Sequence, residues 1–275
     1  MSTMPHVSLA GRTAMPQLGF GVFQVPDDET TAAVSAALET GYRSVDTAAI
    51  YGNERGVGRA LAASGLPRDE VFVTSKLWVD DLGPGQVRPA YEATLERLGL
   101  DALDLYLIHW PAPGRGEYVG AWEQLLELRD AGLVREVGVS NFEPAHLDAL
   151  LAATGELPPI NQVELHPALQ QRALRAYHQE HSILTEAWSP LAQGAVLDDP
   201  AVARIAVAHD VTPAQVVLRW HLQSGNVVIP KSVTPARIVA NLDVLGFELT
   251  PDELAVVDAL DAGDRTGPHP DAFNG

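Results

Sequence analysis

The chain has 275 residues, of which 46% are hydrophobic and 20% charged, with no cysteine and a formal charge of −18. This is the balance of a soluble globular protein with ample material for a core, and it excludes disulfides and thiolate metal sites. The acidic surface repels nucleic acid and anionic membranes, so any anionic ligand needs a local basic exception.

The start, "MSTMPHVSLAGRT", lacks the basic flank and apolar core of an export signal, and no apolar run is long enough to cross a bilayer; a cytoplasmic protein is expected. "HVSLAGRTAMPQ" reads as a small hairpin with a Gly-Arg turn, placed to plug the bottom of whatever follows. "QLGFGVF" is the first strand. A helix follows "PDDET", whose acids suit the helix dipole, and Gly41 stops it. "YRSVD" is the next strand, and Asn53 is expected to cap the helix "ERGVGRALAASG". Strand "EVFVTSKLW" leads to a helix carrying Val87, Tyr91, Leu95 and Leu98, closed by Gly99, and then to the buried strand "LDLYLIHW".

The alternation continues through helix "VGAWEQLLELRDAG", strand "VREVGVS", helix "PAHLDALLAAT", strand "PINQVEL", helix "QRALRAYHQEH" and strand "ILTEAW". Two helices, "PAVARIAVAHD" and "PAQVVLRWHLQS", precede strand "NVVIP" and helix "PARIVANLDVL". Eight strands each followed by helix predict one domain over residues 1–275, a closed (β/α)8 TIM barrel of the α/β class with an N-terminal hairpin. Helix "PDELAVVDALD" and the tail "DRTGPHPDAFNG" fall outside the repeat.

Barrel active sites form at the C-terminal ends of the strands. Here those ends carry Asp46, Lys76, His109, Ser140 with Asn141, Gln162 with Glu164, and Lys231. Asp46, Lys76 and His109 are 30 and 33 residues apart, about one strand-helix unit each, so they should converge; Tyr51 lies in the loop after Asp46. A phenol titrates near a pKa of about 10, and a neighbouring ammonium favours its ionised form and makes it a more useful acid. Lys76 supplies that charge, Asp46 holds the ammonium, and His109 offers a second hydrogen bond to a substrate oxygen.

These segments resemble the aldo-keto reductases. "DTAAIYGNE" is similar to that family's Asp-Tyr segment, "VTSKLW" to its lysine strand, "LDLYLIHWP" to its histidine strand, "GVSNF" and "NQVELHP" to its nicotinamide-contacting strands, and "IPKSVTPARIVAN" to its cofactor-phosphate segment, all in family order. The resemblance implies NADPH-dependent reduction of an aldehyde or ketone by a monomer. Tyr51 would protonate the carbonyl oxygen, Lys76 and Asp46 would tune it, and His109 would orient the carbonyl. Ser140, Asn141 and Gln162 would hold the nicotinamide carboxamide beside Asp46, Trp188 would stack on the ring, and Ser189, Leu191, Gln193 and Gly194 would line the pyrophosphate. "TEAWSPLAQG" and the tail "GPHPDAFN" are similar to the bacterial 2,5-diketo-gluconate reductases, where keto-sugar acids or diketones are the substrates.

Lys231 with Ser232 and Arg237 supplies the basic exception, suited to a ribose 2′-phosphate; the resemblance adds Val233 and Thr234 to the cofactor contacts, and Asn241 suits adenine. Relatives often carry an acid where this chain has Ala240, which removes one adenosine contact. "GFGVFQ" and "GVGRAL" both fail the Gly-x-Gly-x-x-Gly pattern at its last glycine, so Rossmann-type binding is not supported. Phe23, Trp78 and Trp110 follow strand ends and should wall an aromatic cleft; Trp122 and Trp220, at helical positions, should pack. His178 and His181 read as a solvated helix face, and His166 as structural. A nucleotide sensor without chemistry and a metal-dependent barrel hydrolase are the competing readings; the full set of four polar groups argues against the first and the scarcity of strand-end ligands against the second.

Overall fold

The computed structural model describes residues 4–275. A two-stranded antiparallel hairpin, β1 (His6–Leu9) with β2 (Thr13–Pro16), precedes an eight-stranded parallel sheet. Its turn centres on Ala10 and Gly11, both at positive φ (47° and 71°), one residue before the expected Gly-Arg pair. Leu9 and Met15 pack against Phe72, Leu105, Leu107, Ile160 and Val227, so the hairpin closes the N-terminal end of the sheet.

The sheet runs β3 (Phe20–Gly21), β4 (Ser44–Asp46), β5 (Phe72–Leu77), β6 (Leu105–Ile108), β7 (Glu136–Ser140), β8 (Ile160–Glu164), β9 (Leu184–Trp188) and β10 (Val227–Val228), each paired with its sequence neighbour. Leu18 bridges in parallel to Val228, the Gly19 amide donates to Val228 O at 2.8 Å, and the Gly21 amide donates to Pro230 O at 3.2 Å. That seam joins the two edges into a (β/α)8 barrel. β3 and β10 are shorter than "QLGFGVF" and "NVVIP" because Pro230 has no amide proton to extend the ladder.

Helices α1 (Asp27–Thr40), α2 (Glu54–Ala63), α3 (Val87–Leu98), α4 (Tyr118–Asp130), α5 (Pro144–Thr154), α6 (Arg172–Glu180), α7 (Pro200–His209), α8 (Pro213–Gln223) and α9 (Pro235–Leu242) surround the sheet, and α10 (Pro251–Asp258) follows. Gly41 and Gly99 end α1 and α3 in the left-handed conformation, with φ of 118° and 65°. Trp122 and Trp220 are fully buried in the layer between helices and sheet. Among the described residues no helix is long and apolar enough to cross a membrane.

Two local readings are corrected. Asn53 does not cap α2: its Nδ2 donates to Val22 O and Val25 O, both at 2.9 Å, and its Oδ1 accepts from Thr47 Oγ1 at 2.8 Å. It staples the loop after β3 to the loop after β4. His178 is not on a solvated face. It is buried on the side of α6 shared with Leu174, between Asn161 Nδ2 at 3.1 Å and Thr185 Oγ1 at 2.9 Å. Burial and nearby Arg175 lower its pKa to about 4. His181 is partly buried and stacks on Tyr177.

Candidate active site

The parallel register sets Asp46 on β4 beside β5, and Lys76 lies two residues on from the Thr74 that pairs with it. Lys76 is wholly buried; its Nζ donates to Asp46 Oδ1 at 2.5 Å and to Thr47 O at 2.9 Å. A buried ammonium is tolerable only with such partners. Burial pulls the Lys76 pKa down, but the Asp46 carboxylate and then Tyr51 outweigh it, and the net direction is up. Lys76 therefore keeps its charge.

Tyr51 ends a short turn, Ala49–Tyr51, released by Gly52 at a φ of 68°. Its ring centroid is 5.1 Å from Lys76 Nζ and 5.6 Å from the His109 ring. Burial raises the phenol's pKa, the Lys76 ammonium opposes that, and Asp46 adds to the rise. The ammonium moderates the effect of burial without cancelling it. His109, one residue past β6, is held well below the usual imidazole range by burial and by Lys76, so it is neutral; its Nδ1 is enclosed without a partner. Asp46, Tyr51, Lys76 and His109 thus come together at the C-terminal end of the barrel.

A second chain of polar groups adjoins it. Trp188 Nε1 donates to Asn141 Oδ1 at 2.8 Å, Asn141 Nδ2 donates to His109 O at 3.0 Å and to Ser140 Oγ at 3.1 Å, and Ser140 Oγ donates to Gln162 O at 2.7 Å. Gln162 Nε2 donates to Asp46 Oδ2 at 2.9 Å and to Glu186 Oε2 at 2.8 Å. Asn141, Ser189, Ala192 and Gln193 all have positive φ (64°, 49°, 48° and 54°), a concentration of uncommon backbone geometry of the kind found at functional sites. Leu191 and Gly194 are half-buried beside them.

Lys231 follows the seam residue Pro230 and so lies at the same end of the barrel. Lys231, Val233, Thr234 and Arg237 are exposed, while Ser232 and Asn241 are buried. Ser232 Oγ accepts from the Thr234 amide at 3.1 Å, and Tyr42 Oη donates to Ile238 O at 3.2 Å, tying α9 to the end of α1. Lys231 and Arg237 make no ion pair among the described residues, although the chain has 36 acids to 18 bases. Among the described residues no hydrogen bond or ion pair joins this segment to Asp46, Tyr51, Lys76 or His109.

The mouth is aromatic. Phe23 is half exposed with its ring 5.0 Å from Tyr51, and Trp78 is 5.3 Å from His109. Trp110 is buried because Phe273 of the C-terminal tail covers it at 4.4 Å; the same ring is 6.0 Å from Trp78. Glu164 anchors the tail, accepting from the Thr266 amide at 2.5 Å, Thr266 Oγ1 at 2.6 Å and the Gly267 amide at 3.1 Å, with His166 Nε2 also at 3.1 Å. A Cβ on Gly267 would meet Trp188 Cη2 at 2.6 Å, so glycine lets the tail lie on the indole. Gly114 and Arg115 hold Asn274.

With this geometry stand the comparisons with known proteins. The profile of the Aldo/keto reductase family matches residues 17–262. The chain belongs to the aldo-keto reductase family. It is 52% identical to the methylglyoxal reductase DkgA of Yersinia pestis, over 99% of each chain, and 53% identical to an aldo-keto reductase of Mycolicibacterium vanbaalenii, over 100% of this chain and 98% of that one. Among solved structures, a mutant of Gox0644 in complex with NADPH superposes with a TM-score of 0.95 at 48% identity, over 99% of each chain. This aldo-keto reductase is therefore an oxidoreductase acting on small carbonyl compounds.

Two residues of the site escaped the sequence reading. Glu186 alternates with Trp188 along β9, and that period of two was the available signal for a shared inward face. Phe273 carried no local signal, since only the path of the tail brings it to Trp110.

Proposed function

We propose that this chain is an NADPH-dependent reductase of aldehydes and ketones, with diketones and keto-sugar acids as the substrate class, in which Tyr51 donates the proton. The reading is carried by the meeting of Tyr51, Lys76, Asp46 and His109 beside the aromatic rings of Phe23 and Trp78. The dicarbonyl preference rests on likeness to a relative named a methylglyoxal reductase.

The residues present fit the cofactor. Trp188 offers a partly buried indole, Gln162 Oε1 accepts nothing from the described residues, and Lys231 and Arg237 make no ion pair among them in an acidic chain. Bound NADPH supplies the hydride. Tyr51 hands its proton to the carbonyl oxygen, and Lys76 stabilises the phenolate left behind. His109, neutral and with Nδ1 enclosed, turns Nε2 to the same oxygen and, carrying its proton there, would donate to it and set its direction. Asp46 keeps Lys76 in place. The aromatic rings of Phe23, Trp78, Trp110 and Phe273 exclude water from the reacting carbon. A monomer acting in the cytoplasm, folded as a single barrel unit, belongs to the same proposal, consistent with the cysteine-free chain.

Purified protein is expected to oxidise NADPH with a panel of dicarbonyls, activated aldehydes and keto-sugars; no oxidation with any member overturns the proposal. Single-turnover hydride transfer separates it from a sensor, which would release the cofactor unoxidised. Replacing Lys231 and Arg237 together with alanine should raise the KM for NADPH about 10²-fold or more and leave that for NADH nearly unchanged, because each cation makes charge-assisted bonds to the 2′-phosphate alone. Equal loss with both cofactors would show that the pair does not read the phosphate.

A further inference from the structure

We propose that Glu186 is a positioning residue that holds its proton inside the barrel, fixes the Gln162 amide with Nε2 toward Asp46, and keeps a second negative charge away from Lys76 and Tyr51.

Glu186 is directly opposite Gln162 in the β8–β9 register and has no exposed surface. Gln162 Nε2 lies between two carboxyl groups, 2.9 Å from Asp46 Oδ2 and 2.8 Å from Glu186 Oε2, so that end of the amide must be the nitrogen. Oε1 is then the end left over; it accepts nothing from the described residues and is not among the wholly enclosed unpartnered atoms. It is the acceptor available to a carboxamide N–H. Without the Glu186 carboxyl, one of the two acceptors that enforce this orientation is lost.

The protonation state follows from what surrounds the group. Glu186 Oε2 accepts one neutral hydrogen bond, and Oε1 is enclosed with no partner. An ionised carboxylate with so little solvation costs far more than a carboxylic acid, even one whose O–H on Oε1 has no acceptor. From β4 it faces the Asp46 carboxylate, from β5 the Lys76 ammonium, from the turn after β4 the Tyr51 phenol, and β10 offers only apolar Val227. Lys76 is already matched by Asp46 at 2.5 Å, so no cation remains to balance a second anion. Burial and then Asp46 push the Glu186 carboxyl up to about 8. Below that pH the barrel interior carries one cation and one anion. Above it Glu186 releases its proton to solvent, and the added negative charge strengthens the hold of Tyr51 on its own proton. Reduction should therefore slow as pH rises.

This rests on Tyr51 as the proton donor, and the test separates the two ideas. The variant is Glu186→Gln, which keeps the acceptor for Gln162 Nε2 and cannot ionise. In the protein without cofactor, infrared difference spectra should show a protonated-carboxyl stretch in the wild type at about pH 6 that is lost by about pH 10 and is missing throughout in the variant. This reports Glu186 whatever the role of Tyr51. In the reductase assay the two proteins should agree within about threefold at about pH 6, and only the wild type should lose about tenfold as Glu186 ionises. Identical pH profiles, or no infrared band that the substitution removes, overturn the proposal. So does failure of Glu186→Gln to fold, because a neutral isostere must be tolerated where a neutral acid stands.

Discussion

Replacing Tyr51 with phenylalanine is expected to lower kcat for carbonyl reduction by about 10²- to 10⁴-fold, the range associated with losing a positioned general acid. Only one oxygen is removed, from a ring that packs against Phe23 and His109, so the cavity and the barrel keep their shape. NADPH binding should hardly change, because the groups fitted to the cofactor, Asn141, Gln162, Trp188, Lys231 and Arg237, form no bond with that oxygen. The check is paired: steady-state turnover on the best dicarbonyl, and cofactor affinity from quenching of tryptophan fluorescence. Turnover retained within a few-fold would show that the proton comes from elsewhere.

Replacing Lys76 with methionine should damage both chemistry and stability. Methionine is close to lysine in length, but it strands Asp46, 2% exposed, opposite an apolar group. Breaking a buried pair by deleting one partner costs about 3–5 kcal/mol, since the remaining charge is left without its counterion. Denaturant unfolding should show that loss, and turnover should fall about as far as with Tyr51→Phe. The added substitution Asp46→Asn should restore most of the stability without restoring turnover, because it removes the stranded charge but not the missing ammonium. If the double variant were as unstable as the single one, the pairing would not be the source of the loss.

The barrel and the meeting of Asp46, Lys76 and His109 were legible because both depend on repetition: strands recur at unit spacing, and one strand end is like the next. What was missed depends on tertiary contact. Asn53 sits where a helix cap belongs, yet Val22 and Val25 in another loop offered its amide better partners. His178 lies in a polar stretch, "HQEH", but one turn after Leu174, and that neighbour decides which way it faces. Glu186 was readable from its alternation with Trp188, although nothing local says that Gln162 and Asp46 would meet it. Phe273 reaches Trp110 on a tail that Glu164 holds at Thr266, about a hundred residues further along the chain, and that Gly114 and Arg115 hold at Asn274, pairings with no periodic signature.

The seam at Leu18 and Val228 makes the enzyme indivisible. Phenol, amine, acid and imidazole all come from the first 109 residues, yet the strand that flanks them at β3 is zipped to the last strand of the ring, about 210 positions later. A fragment cut between β6 and β7 would contain all four groups of the proposed tetrad and still be inert, with β3 and β6 left as raw sheet edges and neither Gln162 nor Glu186 across from Asp46. Catalytic competence should therefore appear only when the circle closes, and contacts of such long loop length make that closure slow.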